Sequence, residues 1–154
     1  MEGQKSYFKL VAFMIQFNTM EFTIRELTPN DWETLNEWWD WWPKWQAPPK
    51  DLLPLDGTGG FILEKGLIPV VAGFVYLTNS NTAILEWLIS NPNYREDDRD
   101  NAIDTFITRS EEIVKQMGFK YMFSIVQHNR LIETHKKLGW SADAKPSYEL
   151  IKIL

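Results

Sequence analysis

The sequence has no cysteine among its 154 residues and only two histidines, His128 and His135. The absence of cysteine excludes disulfides, thiolate metal sites and a cysteine nucleophile. Two histidines argue against a multi-histidine metal centre, and no loop carries a carboxylate signature for a cation. We therefore expect a protein without a metal cofactor.

Long hydrophobic runs are also missing. The most apolar stretch near the N-terminus, Lys9 to Phe17, is too short and too interrupted to span a bilayer. It also lacks the small-residue cleavage site of a signal peptide. We interpret residues 1–19 as an N-terminal extension, either an added edge strand or a flexible arm, and residues 20–154 as one domain. We expect a cytoplasmic protein with no membrane partner.

Basic residues are in the minority. The formal net charge is −5, which argues against non-specific binding to nucleic acid because that binding needs a basic surface. The hydrophobic content of 44% and the charged content of 24% are typical of a soluble globular protein. A chain of this length is large enough to bury one hydrophobic core.

The spacing of apolar residues predicts alternating strands and helices. Phe22 and Ile24 alternate with polar neighbours, as in a half-buried strand. Residues 28–31 (Thr-Pro-Asn-Asp) are typical of a helix start. The apolar stripe from Ile103 to Met117 has helical spacing, and Gly118 ends it. The remaining predicted elements are a hairpin of residues 61–64 and 69–77, strands at residues 84–90, 121–126 and 147–154, and a helix around residues 131–138. This order predicts an α/β fold with a mixed sheet and strand 84–90 at its centre.

Two motifs carry a family resemblance. Residues 90–95 (Ser-Asn-Pro-Asn-Tyr-Arg) follow the central strand, and residues 136–140 (Lys-Lys-Leu-Gly-Trp) end the last predicted helix. Together they resemble the GNAT superfamily of N-acetyltransferases, and the resemblance extends from about Met20 to the C-terminus. It implies the GNAT-like acyl-CoA N-acyltransferase fold, with acetyl-CoA as the cosubstrate.

The resemblance also implies how the cosubstrate would be held. The central strand would pair with the pantetheine arm, and the turn after it would receive the pyrophosphate. The implied residues are Leu88, Ile89, Ser90, Arg95, Asp98, Arg99, Asp100 and Asn129.

The turn departs from the family pattern, because Glu96, Asp98 and Asp100 stand where the family has glycines. Glycine lets backbone amides close on a phosphate. Aspartate adds bulk and like charge, but it also favours an ordinary helix start. Two outcomes are therefore open: CoA binding with Arg95 and Arg99 neutralising charge, or a ligand-free helix start. If CoA binds, Asp98→Gly and Asp100→Gly are expected to tighten binding by about 1 kcal/mol each.

Two residues are candidate catalysts. Glu86 is the lone charge in the central strand, where the family often has an acidic residue that deprotonates the acceptor amine. A buried structural ion pair would explain Glu86 equally well. His135 aligns with a family tyrosine that protonates the leaving thiolate, and an imidazolium can donate a proton there. The alternative role of His135 is a core-edge histidine with a structural hydrogen bond.

Tryptophans are concentrated in residues 38–45. Neighbours in one helix point apart, so these side chains cannot all face one core. By resemblance this region borders the acceptor site, and Trp38, Trp42 and Trp45 are candidates to hold an aromatic or cationic acceptor. Packing under the proline-rich loop or a contact in a homodimer are the alternatives.

The sequence thus favours an acetyl-CoA-dependent N-acetyltransferase acting on an amine of a small molecule or protein. A catalytically silent binding or interaction module of the same fold is the second hypothesis. A nucleobase-modifying relative is the third, and the acidic net charge speaks against it.

Overall fold

A computed structural model describes residues 22–154, so the predicted extension at residues 1–19 lies outside the described residues. The strands are β1 (Phe22–Glu26), β2 (Gly60–Lys65), β3 (Ile68–Leu77), β4 (Thr82–Ser90) and β5 (Tyr121–Phe123). The α-helices are α1 (Trp32–Trp41), α2 (Arg99–Gln116) and α3 (Asn129–Lys137), and short 3-10 turns occur at Pro29–Asp31, Lys50–Leu52 and Pro54–Gly57.

The five strands form one sheet in the order β1-β2-β3-β4-β5. The first three pairings are antiparallel, whereas β4 and β5 run parallel. A parallel pair needs a crossover connection, and α2 supplies it. The sheet is therefore mixed, as the sequence predicts. β4 lies between β3 and β5, next to the edge strand, whereas the central place predicted for strand 84–90 belongs to β3.

Both faces of the sheet are covered. The predicted stripe of α2 places Phe106, Ile107 and Ile113 in one buried cluster with strand residues such as Phe61 and Leu85. Because strand side chains alternate between faces, the intervening strand residues form a second buried cluster with α1 on the other side. The core of that second cluster comprises Leu35, Trp38, Trp39, Leu53, Ile62, Ala72, Phe74 and Ile89.

The tryptophans of α1 and the loop after it divide between core and surface. Trp38 and Trp39 are both buried. They pack in the second cluster, together with sheet residues and the loop residue Leu53. Trp41 and Trp45 are about half exposed. The prediction that these side chains do not all face one core is therefore confirmed, although the adjacent Trp38 and Trp39 share the second cluster.

Two strand predictions need correction. The strand predicted at residues 121–126 ends at Phe123, because the Ile125 amide donates to the Glu86 carboxylate instead of a ladder carbonyl. The strand predicted at residues 147–154 is wrong, since these residues form no regular structure. Extended backbone needs a neighbouring edge for its amides and carbonyls, and the segment has none among the described residues. Its alternation is also imperfect, since Lys152 shares a face with Tyr148 and Leu150.

None of the helices described within residues 22–154 is long and apolar enough to cross a membrane.

Candidate active site

The main cavity opens where β4 and β5 part. The two strands pair only from Thr82 to Ile84 on β4, and beyond that point the chain after Phe123 diverges. A cavity of ≈ 800 Å³ lies in this split. Its walls come from the second half of β4, residues 124–128, the first turn of α2, α3 and the tryptophans after α1. The edge of β4 from Leu85 to Ser90 has no described strand partner on this side.

A β-bulge shapes β4 beside the cavity. The pairing with β3 shifts register opposite Gly73, and Trp87 adopts a left-handed φ of 58°. The strained residue is held in place because the Trp87 indole donates to the Tyr76 hydroxyl at 3.0 Å. Tyr76 in turn donates to the Leu52 carbonyl at 3.1 Å. A bulge bends its strand, and strain kept by such anchors is typical of functional sites.

Gly73 leaves room for this bulge. A Cβ at position 73 would lie 3.0 Å from both the Leu88 Cδ1 atom and the Phe106 ring. The glycine therefore lets Leu88 and Phe106 pack together behind the strand that forms the cavity wall.

Glu86 sits at the base of the split. Its Oε1 accepts the Ile125 amide at 2.5 Å, so the carboxylate joins β4 to the chain that leaves β5. Burial raises the pKa of Glu86 to about 7; the Ile125 hydrogen bond opposes this rise, and the negative charge of Glu149 adds to it. A carboxylate with a pKa near neutrality can accept a proton at physiological pH. No basic side chain forms an ion pair with Glu86 among the residues described, which favours the base over the ion-pair interpretation.

Two arginines, Arg99 and Arg130, line the other end of the cavity, where α2 begins. The Arg99 guanidinium lies 5.8 Å from the centre of the Trp42 ring and 3.4 Å from the Ser90 hydroxyl. Burial lowers the pKa of Arg99, and the nearby Arg95 and Arg130 guanidiniums lower it further. Three positive groups near a helix N-terminus favour an anion at this end.

Asp100 contacts one of these arginines. Arg130 donates to both Asp100 carboxylate oxygens at 2.6 Å, which connects the first turns of α2 and α3. Both side chains are about 70% exposed, so water screens this pair and it contributes little to stability. Asp100 therefore holds Arg130 beside the cavity while reducing its charge.

Asp98 faces away from the cavity. Its carboxylate accepts the Lys65 ammonium at 2.5 Å and the Tyr94 hydroxyl at 2.6 Å. The hydrogen bond from Lys65, followed by that from Tyr94, lowers the pKa of Asp98. The Asp98 side chain and its charge therefore point to the β2–β3 hairpin, where the carboxylate pairs with Lys65. The structure gives no reason to expect tighter CoA binding from Asp98→Gly.

His135 is buried in the wall formed by α3. Its Nδ1 lies 2.8 Å from the Leu131 carbonyl oxygen, so Nδ1 carries the proton and donates. The Nε2 atom is buried and has no partner among the described residues. The ring packs edge-on against Trp140 at 4.8 Å between centroids. His135 therefore has the structural hydrogen bond of the alternative interpretation, and a second nitrogen that remains available.

Aromatic rings from the chain after α1 form another part of the cavity wall. Trp42 donates from its indole nitrogen to the Ser90 carbonyl at 3.2 Å. Trp45 packs against Trp42 and lies 6.1 Å from the ring of His128, the residue that precedes α3. These rings and Glu149 border the same opening.

The cavity brings together most of the residues predicted from the sequence: Glu86, His135, Leu88, Ile89, Ser90, Arg99, Asp100, Trp42 and Trp45. Within the described part of the chain, four others do not line it: Trp38, Arg95, Asp98 and Asn129. Trp38 belongs to the core, and the Arg95 guanidinium lies 5.4 Å from the Trp41 ring centre.

The cavity residues that the sequence did not predict include Arg130, Glu149 and Ile125, whose amide binds Glu86. Arg130 had a detectable signal, because a positive charge in the first turn of a helix opposes the helix dipole and calls for another explanation. Glu149 had no such signal in the sequence, because it lies in a segment that we predicted to be a strand away from the cavity residues.

Among residues 22–154, no group of His, Asp and Glu side chains is arranged to hold a metal ion.

The fold with its split sheet is similar to that of known proteins. No protein-family model and no curated protein matches the sequence. Solved structures do match. The ribosomal-protein-S18-alanine N-acetyltransferase of Escherichia coli superposes with a TM-score of 0.62 at 13% identity, over 77% of this chain and 76% of that one.

Two further structures have nearly the same similarity. An aminoglycoside acetyltransferase from an uncultured soil metagenomic sample gives a TM-score of 0.61 at 13% identity, over 86% of this chain and 97% of that one. AAC(6')-Iy, solved with a bisubstrate analogue of CoA, gives 0.60 at 15% identity, over 87% of this chain and all (100%) of that one. At this identity the likeness concerns the fold: the chain has the fold of the GNAT N-acetyltransferases.

Proposed function

We propose that this protein is an acetyl-CoA-dependent N-acetyltransferase that acts on an amine. The observation that carries the proposal is Glu86, a half-buried carboxylate whose pKa is raised to about 7 at the base of the cavity. At the other end of the same cavity, arginines meet the N-terminus of α2. A base at one end and an anion site at the other suit a reaction between an amine and a long anionic thioester.

The cavity suits CoA in two respects. The unpaired edge of β4 offers backbone amides and carbonyls to an extended chain that carries amide groups, as pantetheine does. Arg99 and Arg130 offer charge-assisted hydrogen bonds to phosphate oxygens. Since Asp98 is tied to Lys65 and Tyr94, the turn places less negative charge beside the anion than the sequence implies. Bound acetyl-CoA would supply the activated acetyl group.

Two residues that line the cavity, Glu86 and His135, would move the protons. Glu86 would accept the proton of the acceptor amine as its nitrogen forms a bond to the thioester carbonyl carbon. His135, protonated on Nε2, would give a proton to the sulfur as the carbon–sulfur bond breaks. Trp42 and Trp45 would hold a cationic acceptor by cation–π contact. The negative charges of Glu86 and Glu149 favour the same acceptor.

A coupled assay tests the proposal. The full chain is incubated with acetyl-CoA and a panel of amines (diamines, aminoglycosides and peptides with free N-termini), and free thiol is measured. We expect thiol release that depends on both substrates, together with a mass gain of one acetyl group on the amine. If no amine raises thiol release above hydrolysis while acetyl-CoA binds, the silent binding module is the better description.

The acidic residues of the turn give a matched pair of variants. We expect Asp100→Asn to tighten CoA binding about fivefold, because it removes a negative charge beside the anion and releases Arg130. Asp98→Asn should leave the Kd within about twofold, since that carboxylate faces the hairpin. Titration calorimetry with CoA measures both. Equal tightening by the two variants would contradict the orientation described for Asp98.

His135 has a separate test. We expect His135→Phe to lower kcat by about 10²-fold or more, because it removes the proton donor. The Kd for CoA should change little. His135→Tyr restores a proton donor and should retain most of the parent's activity. Stopped-flow and steady-state rates measure these effects. If His135→Phe turns over like the parent, His135 has only the structural role given by its bond to Leu131.

A further inference from the structure

The bulge in β4 decides on which face of the sheet Glu86 lies. Leu85 belongs to the buried cluster that contains α2 residues. Glu86 lies directly opposite Phe74, a member of the cluster that contains α1 residues, and opposite residues share a face. Trp87 also packs on the α1 cluster, whereas Leu88 packs on the α2 cluster. A regular strand would send Glu86 and Trp87 to opposite faces, so the bulge is what lets both face α1.

The Trp87 backbone carries the strain of this bulge. Its φ of 58° is in the left-handed region, which a bulky residue rarely adopts. Such a conformation persists only where neighbouring contacts hold it. The contacts here meet at the Tyr76 hydroxyl, which accepts the Trp87 indole N–H at 3.0 Å and donates to the Leu52 carbonyl at 3.1 Å. Removing this one oxygen would deprive both groups of that partner.

The Tyr76 hydroxyl is suited to both bonds at once. Burial raises the pKa of Tyr76, the Trp87 hydrogen bond opposes this rise, and the negative charge of Glu86 adds to it. The hydroxyl therefore keeps its proton for Leu52 while a lone pair accepts from Trp87. Tyr76 is not among the described residues that line the cavity, so its influence on the cavity passes through its neighbour Trp87.

We propose that Tyr76 is a positioning residue for Glu86. Its hydroxyl holds the Trp87 indole, the indole fixes the strained backbone at position 87, and that backbone sets the direction of the Glu86 carboxylate. The bond that reports this direction is the one from the Ile125 amide to Glu86 Oε1 at 2.5 Å. The positioning follows from these contacts alone, whereas its effect on turnover rests on the proposed function.

Hydrogen exchange, measured by NMR on the isotope-labelled full chain, tests the positioning without any substrate. Tyr76→Phe keeps the ring and removes only the hydroxyl. We expect the Ile125 amide to exchange at least about tenfold faster than in the parent, because its hydrogen bond to a carboxylate is weakened. The amides of the β1–β2 ladder should keep their rates. Tyr94→Phe is the matched control: it removes a hydroxyl that donates to Asp98 at 2.6 Å, away from the cavity, and should leave the Ile125 rate within about twofold.

Two results of this exchange experiment would refute the proposal. An Ile125 amide with the parent's exchange rate in Tyr76→Phe would show that the direction of Glu86 does not depend on the hydroxyl. An equal acceleration of exchange across the whole sheet would show a general loss of stability without local positioning.

Steady-state rates test the consequence for turnover. We expect Tyr76→Phe to lower kcat by about tenfold or more, because a displaced base works poorly, while the Kd for CoA stays within about twofold. Trp87→Phe loses the indole donor and should show a similar loss of kcat. Since the two residues act as one chain, the double variant should lose no more than the larger single loss, and losses that multiply would contradict the chain.

The two experiments separate this inference from the proposed function. If Tyr76→Phe has the parent's kcat, Tyr76 does not position the base. If the parent itself turns over no amine, the proposed function fails, and the Ile125 exchange rate still decides whether Tyr76 positions Glu86.

Discussion

Glu86→Gln is expected to lower kcat by about 10²- to 10⁴-fold, the range that a general base contributes. Glutamine keeps the side-chain length and can still accept the Ile125 amide through its carbonyl oxygen, so the split between β4 and β5 should be preserved. The variant loses only the ability to take a proton. Steady-state rates with saturating acetyl-CoA measure the loss, and the Kd for CoA should stay near that of the parent.

The pH profile gives this prediction its sharpest form. Because the base must be deprotonated, the parent's rate should rise as the pH increases through about 7, the raised pKa of Glu86. Glu149→Gln removes a negative charge that raises the pKa of Glu86. In this variant the rise of the rate should move to lower pH but should still be present. The rate of Glu86→Gln should show no such rise with pH. A Glu86→Gln variant with the parent's rate and profile would remove Glu86 from the mechanism.

Phe106→Ala is expected to cost about 3–5 kcal/mol of unfolding free energy, the usual range for a buried phenylalanine. Phe106 is fully buried in α2 and packs near Gly73 behind the bulge of β4. A loss of this size lowers the melting temperature of a chain of this length by roughly 10 °C or more. Leu67→Ala, at a residue exposed on a turn, is the control and should change the melting temperature little.

Chemical denaturation of the two variants decides the outcome. A loss of less than about 1 kcal/mol of unfolding free energy in Phe106→Ala would be the value expected for a residue on the surface. It would contradict the packing of α2 on the sheet, on which the position of the cavity depends.

The parts of the fold that follow from local pattern were predictable. The stripe from Ile103 to Met117 sets the face of α2, and the apolar run of β4 predicts a strand inside the sheet rather than at its edge. The strand boundaries that were predicted wrongly depend on residues that are distant in the sequence. β5 is short because Glu86, 39 residues away along the chain, takes the Ile125 amide.

The candidate site was predictable in location and less so in detail. Residue types and the family motifs point to Glu86, Arg99 and Asp100, and all three line the cavity. The direction of the Asp98 carboxylate depends on Lys65, 33 residues earlier, which no local rule reveals. The bulge at Trp87 likewise depends on contacts across strands that a single sequence does not display.

Calorimetric titration of the full chain with acetyl-CoA shows whether the protein binds the proposed cosubstrate. We predict saturable binding of one acetyl-CoA per chain, with affinity lowered at least about tenfold by Arg99→Gln, since a charge-assisted hydrogen bond to phosphate would be lost. We also predict the tighter binding of Asp100→Asn. Absence of binding at millimolar acetyl-CoA, in both the parent and Asp100→Asn, would contradict the account and leave the fold as a scaffold without acetyl-CoA chemistry.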